Sequence, residues 1–236
     1  MTEHATSAPR TARERARAEL TAEIKNVARQ HLASSGAAAL SLRAVTRELG
    51  MASSAIYRYF ESRDALLTAL IVDAYNSIGE AAEKADASSP RGDIGRRWLD
   101  VCRSIRGWAV ENRHEYALIY GSPVPGYVAP QDTTAAAARV TLVLLSILAD
   151  AVDGGTAPTL RKGPIPKALR PDLAVLTDVS GANIPPDVQL RGLAAWTQVF
   201  GMISFELFGH FTNVIEETSL HFDTQCKRIA VELGLT

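Results

Sequence analysis

The sequence predicts an all-α fold, and three observations carry that prediction. Apolar residues recur at the period of an amphipathic helix along most of the 236-residue chain. No stretch alternates apolar and polar residues in the way that a half-buried strand does. Proline and glycine are concentrated in a few connectors, and the sequence has no internal repeat. We therefore expect helices packed on helices around apolar cores.

The first helix is predicted over residues 10–35. Its apolar residues fall on one stripe, and Gly36 is a typical helix end because glycine readily adopts the left-handed conformation. The stripe consists of Leu20, Ile24, Val27, Ala28 and Leu32. The nine residues before this helix show no such pattern and are expected to be disordered.

Two short helices are predicted next, over residues 41–49 and 52–59. Ser41 is a good N-cap for the first of them. Gly50 supplies a tight turn between them, because glycine takes a positive φ without steric cost. The inward side of the first helix is formed by Leu42, Val45 and Leu49. Two short helices joined by such a turn have the geometry of a helix-turn-helix, whose second helix enters the DNA major groove.

The rest of the chain also follows a helical period. Ser62 is expected to cap a fourth helix that extends to about residue 86. The segment ASSPRGD, which follows, is the first clear change in composition. We therefore predict an N-terminal domain over 10–86 and a C-terminal domain over 87–236. Further helices are predicted at 93–112, 113–121, 132–152, 167–177, 187–211 and 214–233, with connectors at 121–130 and 153–166.

Composition argues against a membrane-spanning, secreted or disulfide-rich protein. Hydrophobic residues make up 47% and charged residues 22%, as in ordinary soluble globular proteins. The longest apolar stretch, residues 140–152, is shorter than the ~18–20 residues that a membrane helix needs, and it is predicted to be a buried helix. The N-terminus lacks the apolar segment of a secretory signal. Cys102 and Cys226 are too few for a disulfide framework, so we expect a cytoplasmic protein without a membrane partner.

Charge is unevenly distributed along the chain. Residues 10–63 contain ten basic and five acidic side chains, a formal charge of +5, whereas the whole chain has −1. The remainder therefore carries −6. This asymmetry indicates a polyanion-binding N-terminal module, and on charge alone a merely solvated basic face is an equal alternative.

The segment LSLRAVTRELGMASSAIYRYFESRDALL, residues 40–67, carries more polar surface than a core helix needs. Serine hydroxyls at the start of its second helix can bond to base edges, whereas tyrosine and arginine are common phosphate partners. Ile56 and Phe60 are expected to face the opposite way and pack on the core. The predicted DNA contacts are Arg43, Ser53, Ser54, Tyr57, Tyr59 and Arg63.

The same segment resembles the DNA-binding signature of the TetR family of bacterial repressors. The family pattern G-x-x-x-x-x-[LI]-Y-x-[HY]-F-x-[ST]-[KR]-[DE]-x-L is met by Gly50, Ile56, Tyr57, Tyr59, Phe60, Ser62, Arg63, Asp64 and Leu66. The resemblance implies an all-α homodimer with a three-helix DNA-binding head and a larger helical effector and dimerisation domain. Family members often have His at position 59 and Lys at position 63, and the Tyr and Arg of this chain keep the hydrogen-bond donors.

The resemblance continues into the second half of the chain. Residues 108–127 and 194–211 are similar to a branch of the family whose C-terminal domain carries a Trp-His-Gly pattern. In this chain Phe200 stands at the middle position, beside Trp196 and Gly201, so the imidazole is missing.

The resemblance implies that the C-terminal domain binds a small molecule and moves the two heads apart. Candidate ligand contacts are large or polar-tipped side chains on helices expected to face inward, and plain core packing is the alternative for each. They are Trp98, Cys102, Trp108, Tyr116, Tyr120, Tyr127, Trp196, Phe200 and Phe205. Tyr116 and Tyr120 are the strongest pair, and they suit a mostly apolar ligand held by one or two hydroxyls.

The last two helices are predicted to form a homodimer interface. Their small glycines and apolar side chains suit close helix packing, and closing the monomer core is the alternative. A dimer is favoured because one short recognition helix reads too few base pairs alone.

The favoured function is a ligand-responsive repressor that binds a pseudo-palindromic double-stranded operator as a homodimer and is released by a small molecule. The alternative is a helical small-molecule-binding or interaction protein without specific DNA binding. We expect neither enzymatic activity nor a cofactor, because the sequence has no glycine-rich phosphate loop, no zinc motif and no evident Ser/His/Asp set. The pairs Glu206/His210 and Glu217/His221 have a spacing that can hold a metal, but such pairs are more often surface partners.

Overall fold

The computed structural model describes residues 11–155 and 165–236, and within these ranges every regular element is a helix. The α-helices are α1 Ala12–Ser35, α2 Leu42–Glu48, α3 Arg63–Ser88, α4 Ile94–Glu111, α5 Arg113–Tyr120, α6 Thr134–Asp153, α7 Arg170–Ser180, α8 Pro186–Leu207 and α9 Thr218–Leu233. The all-α prediction is confirmed, with helix bounds close to those expected. The expected disorder of the first nine residues, and most of the predicted connector 153–166, lie outside the described residues.

The described residues form two compact units. The head unit comprises the described residues up to Ile71 together with Ser122–Ala129, and the larger unit comprises Val72–Gly121 and the described residues from Pro130 onward. The change of unit falls within α3. The sequence composition predicted a domain boundary between residues 86 and 87, and that boundary stays a prediction.

Glycines end α1 and turn the chain after α2, as the sequence predicts. Gly36 has a φ of 74° and its N–H donates to the carbonyl of Leu32, while Gly50 has a φ of 63°. At the other end of α1, the side chain of Thr11 accepts from the N–H of Glu14, whose carboxylate accepts from the N–H of Thr11. This capping box satisfies two N–H groups that the first helical turn otherwise leaves without partners.

The segment predicted as a third α-helix is wound differently. Helical structure is limited to a 3₁₀-helix at Ile56–Arg58, preceded by a turn in which the N–H of Ala55 donates to the carbonyl of Ala52. Ile56 and Phe60 are buried, as predicted, and they fix the segment to the head core.

Two serines at helix starts differ in what they contribute. The Ser62 hydroxyl accepts a hydrogen bond of 3.0 Å from the N–H of Ala65, whereas Ser41 occupies the N-cap position of α2 without a side-chain cap bond. We therefore expect Ser62→Ala to lower the free energy of unfolding by about 1 kcal/mol and Ser41→Ala to change it much less. Urea denaturation of both variants measures this difference. Equal losses in the two variants would contradict the cap assignment.

The larger unit is built around α4, which packs against α6, α8 and α9. Its core side chains include Trp98, Ile105 and Tyr116. By length and composition alone, Gln131–Asp153 could cross a membrane, with a hydropathy of 1.9. Core helices of globular proteins meet the same criterion, and α6 buries Val140, Leu144, Ile147 and Leu148 in this core.

Buried and half-buried ion pairs join the helices of the larger unit. Arg97 of α4 is fully buried and donates to the carboxylates of Asp86 on α3 and Asp150 on α6, at 2.7 Å and 2.6 Å. Burial favours loss of the Arg97 proton, but these hydrogen bonds outweigh burial and hold its pKa above the ordinary value. Arg97 therefore fixes α3, α4 and α6 to one another.

Candidate nucleic-acid interface and apolar cavity

Side chains from α1 and α3 hold the short elements of the head unit in place. Arg17 donates to the carbonyl of Arg58 at 3.1 Å, and its guanidinium lies 5.7 Å from the ring centroid of Tyr59. His31 Nε2 and the Glu48 carboxylate are 2.7 Å apart, which links α1 to α2. The segment after Gly50 is thus fixed by contacts with its neighbours, although its own helix is short.

The exposed side chains of this segment and of α2 are rich in donors, and we call this set the outer face. It is defined by Arg43, Arg47, Ser53, Ser54, Tyr57 and Arg58, all of which are exposed. The Tyr57 ring is 56% exposed although it is a large aromatic group. Within the described part of the chain, the three arginines of this face form no ion pair with a carboxylate, so their charge is not neutralised locally.

Arg63 and Tyr59 differ from the other predicted DNA contacts. The Arg63 guanidinium donates to the carbonyls of Leu40 at 3.0 Å and Ala37 at 2.9 Å. It therefore holds the loop between α1 and α2 against the start of α3. Tyr59 is half-buried beside Arg17. Direct phosphate contacts by these two residues stay predictions.

Sequence reasoning missed Arg47 and Arg58 as members of the outer face. Arg47 follows Arg43 by four residues, so the two lie on the same side of α2. That spacing was readable in the sequence. Arg58 lies in the 3₁₀-helix Ile56–Arg58, whose winding the sequence did not predict.

Four of the predicted ligand contacts form one aromatic cluster in the larger unit. The Tyr120 ring centroid lies 5.1 Å from that of Tyr116 and 4.6 Å from that of Phe200, and Trp196 lies 5.6 Å from Phe200. The Tyr116 hydroxyl donates to the carbonyl of Phe200 at 3.1 Å and lies 2.9 Å from the Ser204 hydroxyl. Burial raises the pKa of Tyr116 to about 12 and also raises that of Tyr120, so both phenols are neutral donors at physiological pH.

The remaining predicted ligand contacts are dispersed. Trp98 donates from its indole N–H to the carbonyl of Cys226 at 3.0 Å, and Cys102 is a buried thiol whose pKa is raised by burial and by its neighbour Cys226. Trp108 is buried and donates to Ser77. These side chains have partners within the core, as the packing alternative expects.

Two further candidates lie elsewhere. Tyr127 belongs to the head unit, where its hydroxyl is 2.9 Å from that of Thr68. Phe205 was expected to face inward, and that expectation is wrong because 51% of its surface is exposed. Its position on α8 places it on the outer side of the helix, away from the buried Val199 and Ile203.

An apolar cavity of about 220 Å³ lies among α6, α7 and α8 in the larger unit. Its wall is formed mainly by leucines and by the ring of Trp196. Gln189 also lines this cavity, and only 2% of its surface is exposed. Of the predicted ligand contacts, Trp196 is the one that lines this cavity.

The Glu-x-x-x-His pairs do not form a cluster of metal ligands. Within the described residues, no group of three or more His, Cys, Asp or Glu side chains is placed to hold a metal ion. The Glu206 carboxylate accepts from Arg106 at 2.7 Å and from Thr218 at 2.9 Å. Burial raises the pKa of Glu206, but these hydrogen bonds outweigh burial and lower the pKa below its ordinary value.

The chain combines a helix-turn-helix head, whose basic face is not neutralised, with a helical domain that contains an apolar cavity. This combination is typical of the class of helix-turn-helix transcriptional regulators. Two sequence profiles match the chain: "Bacterial regulatory proteins, tetR family" over residues 24–70, and "Tetracyclin repressor-like, C-terminal domain" over residues 98–229. The chain therefore belongs to the TetR family of bacterial transcriptional regulators.

Relatives and solved structures agree with this assignment. The HTH-type transcriptional regulator Rv1816 of Mycobacterium tuberculosis is 36% identical over 225 residues, which cover 93% of this chain and 94% of that protein. The crystal structure of the regulatory protein SCO4313 has a TM-score of 0.76 at 34% identity, covering 93% of this chain and 98% of that one. A protein of unknown function from Rhodococcus sp. RHA1 shares the fold, with a TM-score of 0.70 at 20% identity over 91% of this chain and 95% of that chain. The chain is a DNA-binding transcriptional regulator and not an enzyme.

Proposed function

We propose that this regulator is a cytoplasmic homodimeric repressor, which binds a pseudo-palindromic DNA operator and is released by a mostly apolar small molecule. The single observation that carries the DNA-binding part is the outer face, which comprises three exposed arginines, two exposed serines and an exposed tyrosine. Arginine and tyrosine donors suit phosphate oxygens, whereas the serine hydroxyls of Ser53 and Ser54 suit base edges. The proposed DNA contacts are Arg43, Ser53, Ser54, Tyr57, Tyr59 and Arg63 from the sequence pattern, with Arg47 and Arg58 added from their exposure.

The proposed homodimer interface is the outer side of α8 and α9. Large apolar side chains there are exposed, among them Phe205, Phe208 and Leu220 at 51%, 46% and 66%. An open groove of about 370 Å³ runs between Phe205 and His221, past Gly201. A Cβ at Gly201 would meet no atom within 4 Å, so this side of α8 leaves room for a second helix. Exposed apolar patches of this kind mark association surfaces, and we assign this one to a second copy of the chain.

The dimer can be tested with one charged substitution. We expect Leu220→Glu to convert a particle of twice 25.4 kDa into one of 25.4 kDa, because it places a carboxylate in an apolar interface. The matched control is Val128→Glu, which changes an exposed valine of the head unit, outside α8 and α9. Light scattering coupled to size-exclusion chromatography measures both masses. A dimeric Leu220→Glu variant would place the interface elsewhere.

The DNA-binding proposal is tested by fluorescence anisotropy on the DNA upstream of the protein's own gene, with a scrambled duplex as competitor. Binding by two protomers per site that survives the competitor supports the repressor, and it should weaken steeply as salt rises. A monomeric Leu220→Glu variant should bind the same duplex much more weakly, since one head reads only a half-site. Equal binding to specific and scrambled duplexes would contradict specific recognition of this site.

The proposed effector domain comprises residues 87–236, and the proposed DNA-binding domain residues 10–86. Proposed effector contacts from the sequence are Trp98, Cys102, Tyr116, Tyr120, Tyr127, Trp196 and Phe200. The aromatic cluster of Tyr116, Tyr120 and Phe200 adjoins Trp196, which lines the cavity, and this continuity supports an apolar ligand. A ligand can release DNA only by its different affinity for the DNA-bound and free conformations.

A further inference from the structure

The 3₁₀-helix Ile56–Arg58 is capped at its end by a side chain of α1. No backbone N–H in the described part of the chain donates to the Arg58 carbonyl, which accepts instead from the Arg17 guanidinium at 3.1 Å. The last carbonyls of a helix need partners from outside it, and an arginine side chain can supply one. The end of this helix therefore depends on a residue 41 positions earlier in the sequence.

The same guanidinium also contacts the next residue along the chain. Its central carbon lies 5.7 Å from the ring centroid of Tyr59, which is within the range of a cation–π contact. A planar guanidinium can stack on a ring while its N–H groups donate, whereas the compact ammonium of lysine is a point charge. Arg17 thus holds two consecutive residues, Arg58 and Tyr59, through the backbone of one and the ring of the other.

These two contacts lie between the buried anchors of the segment. Ile56 and Phe60 are 1% and 7% exposed and attach the segment to the head core. Tyr57 and Arg58, which belong to the outer face, lie between them in the sequence and are exposed. The backbone at Arg58 sets the direction in which these donors leave the chain, and Arg17 fixes that backbone from outside the segment.

We propose that Arg17 is a positioning residue for DNA recognition: it holds Arg58 and Tyr59 in place, so that the outer face keeps one conformation, and it does not bind DNA itself. Arg17 lies outside residues 24–70, the part of the head that the family profile matches. The effect on DNA binding rests on the DNA contacts proposed above. The effect on the conformation of the segment does not, so one can fail without the other.

Loss of this support affects specific and non-specific binding differently. A protein whose binding-competent conformation is only partly populated loses affinity in proportion to that population. Non-specific binding depends on the charge of the phosphates and needs no fixed conformation of this segment. We therefore expect Arg17→Ala to weaken specific binding by about tenfold, the equivalent of one lost charge-assisted hydrogen bond, and to leave binding to a scrambled duplex within about twofold.

The first measurement needs no DNA. The N–H groups of Tyr59 and Phe60 donate to the carbonyl of Ile56 at 2.8 Å and 2.9 Å, and hydrogen exchange of the full-length protein, followed by NMR, reports how often these bonds open. We expect Arg17→Ala to speed the exchange of both N–H groups by about tenfold, while the N–H of Leu49, at the end of α2, exchanges at its wild-type rate. Equal acceleration at Leu49 would indicate a general loss of stability and overturn the proposal, as would unchanged exchange at Tyr59 and Phe60.

The second measurement uses a duplex that the wild type selects from a random-sequence pool, with a scrambled duplex for comparison. Fluorescence anisotropy at several salt concentrations gives both affinities and the salt slope. The matched control is Arg15→Ala, because Arg15 is exposed on the same helix and its side chain has no hydrogen bond or ion pair among the described residues. We expect Arg17→Ala to lose about tenfold on the selected duplex at an unchanged salt slope, and Arg15→Ala to stay within about twofold of the wild type. Arg17→Lys should recover only part of the loss, because one ammonium cannot make both contacts.

Each alternative gives a different result. A salt slope lower by about two, with equal losses on both duplexes, would make Arg17 a phosphate contact and overturn its positioning role. Full recovery by Arg17→Lys would assign the effect to charge alone and overturn it as well. Faster exchange in Arg17→Ala without a change in DNA affinity would remove Arg17 from DNA recognition. Should the wild type select no duplex, the proposed repressor fails, and the exchange rates alone decide whether Arg17 holds the segment.

Discussion

Replacing Arg97 by alanine is expected to cost about 3 kcal/mol of the free energy of unfolding, measured by urea denaturation followed by circular dichroism. Arg97 is fully buried, and its guanidinium binds Asp86 through two hydrogen bonds of 2.7 Å and 3.1 Å and Asp150 through one of 2.6 Å. Its removal leaves the carboxylates of Asp86 and Asp150, which are 13% and 30% exposed, with fewer partners. We expect this loss in the free energy of unfolding to lie at the low end of the usual range, because Arg91 also contacts both carboxylates.

The adjacent arginine provides a matched control for this experiment. Arg96 is 63% exposed and pairs with Asp100 at 3.3 Å within the same helix. An exposed pair of this kind contributes little, so Arg96→Ala should cost less than about 1 kcal/mol. Equal losses for Arg96→Ala and Arg97→Ala would show that the buried network does not contribute as assigned.

A third variant tests the cause of the loss. Arg97→Met combined with Asp86→Asn and Asp150→Asn removes all three charges together. We expect it to recover most of the lost stability, because a buried ion pair is often replaceable by uncharged groups of similar volume. If the triple variant were as unstable as Arg97→Ala, lost packing and not unpaired charge would explain the effect.

Most of the fold could be predicted because local sequence patterns determine it. The apolar stripe of α1, the positive φ of Gly36 and Gly50, and the cap at Ser62 each follow from the chemistry of a few neighbouring residues. The winding of Ile56–Arg58 did not follow in this way. Its form depends on contacts with other elements, such as the hydrogen bond from Arg17 to the Arg58 carbonyl, which spans 41 positions in sequence.

The candidate sites were harder to predict than the fold. An arginine in a DNA-binding motif suggests a phosphate contact, but the partners of Arg63 are backbone carbonyls more than twenty residues away in sequence. Gln189 is a polar residue near the start of α8, and the sequence contains nothing that distinguishes it from a surface glutamine. Its burial depends on α7, which packs against α8 and whose Thr177 accepts its N–H.

Arg43→Ala and Arg63→Ala are expected to weaken operator binding for different physical reasons. Arg43 is exposed on α2, so its loss should leave thermal stability unchanged. If it contacts one phosphate per protomer, the variant dimer should bind DNA about tenfold or more weakly, and the slope of log affinity against log salt should fall by about two. Arg43→Lys keeps the charge and should keep the slope.

Arg63→Ala should instead lower the stability of the protein by about 1.5–3 kcal/mol, because two charge-assisted hydrogen bonds to Leu40 and Ala37 carbonyls are lost. DNA affinity then falls because the loop between α1 and α2 loses its attachment to α3, which supports the outer face. Anisotropy titrations at several salt concentrations, together with urea denaturation, separate the two cases. If Arg63→Ala lowered the salt slope and left stability unchanged, Arg63 would be a direct phosphate contact. If it lowered stability and left the slope unchanged, Arg63 would be the residue that positions the DNA-binding surface.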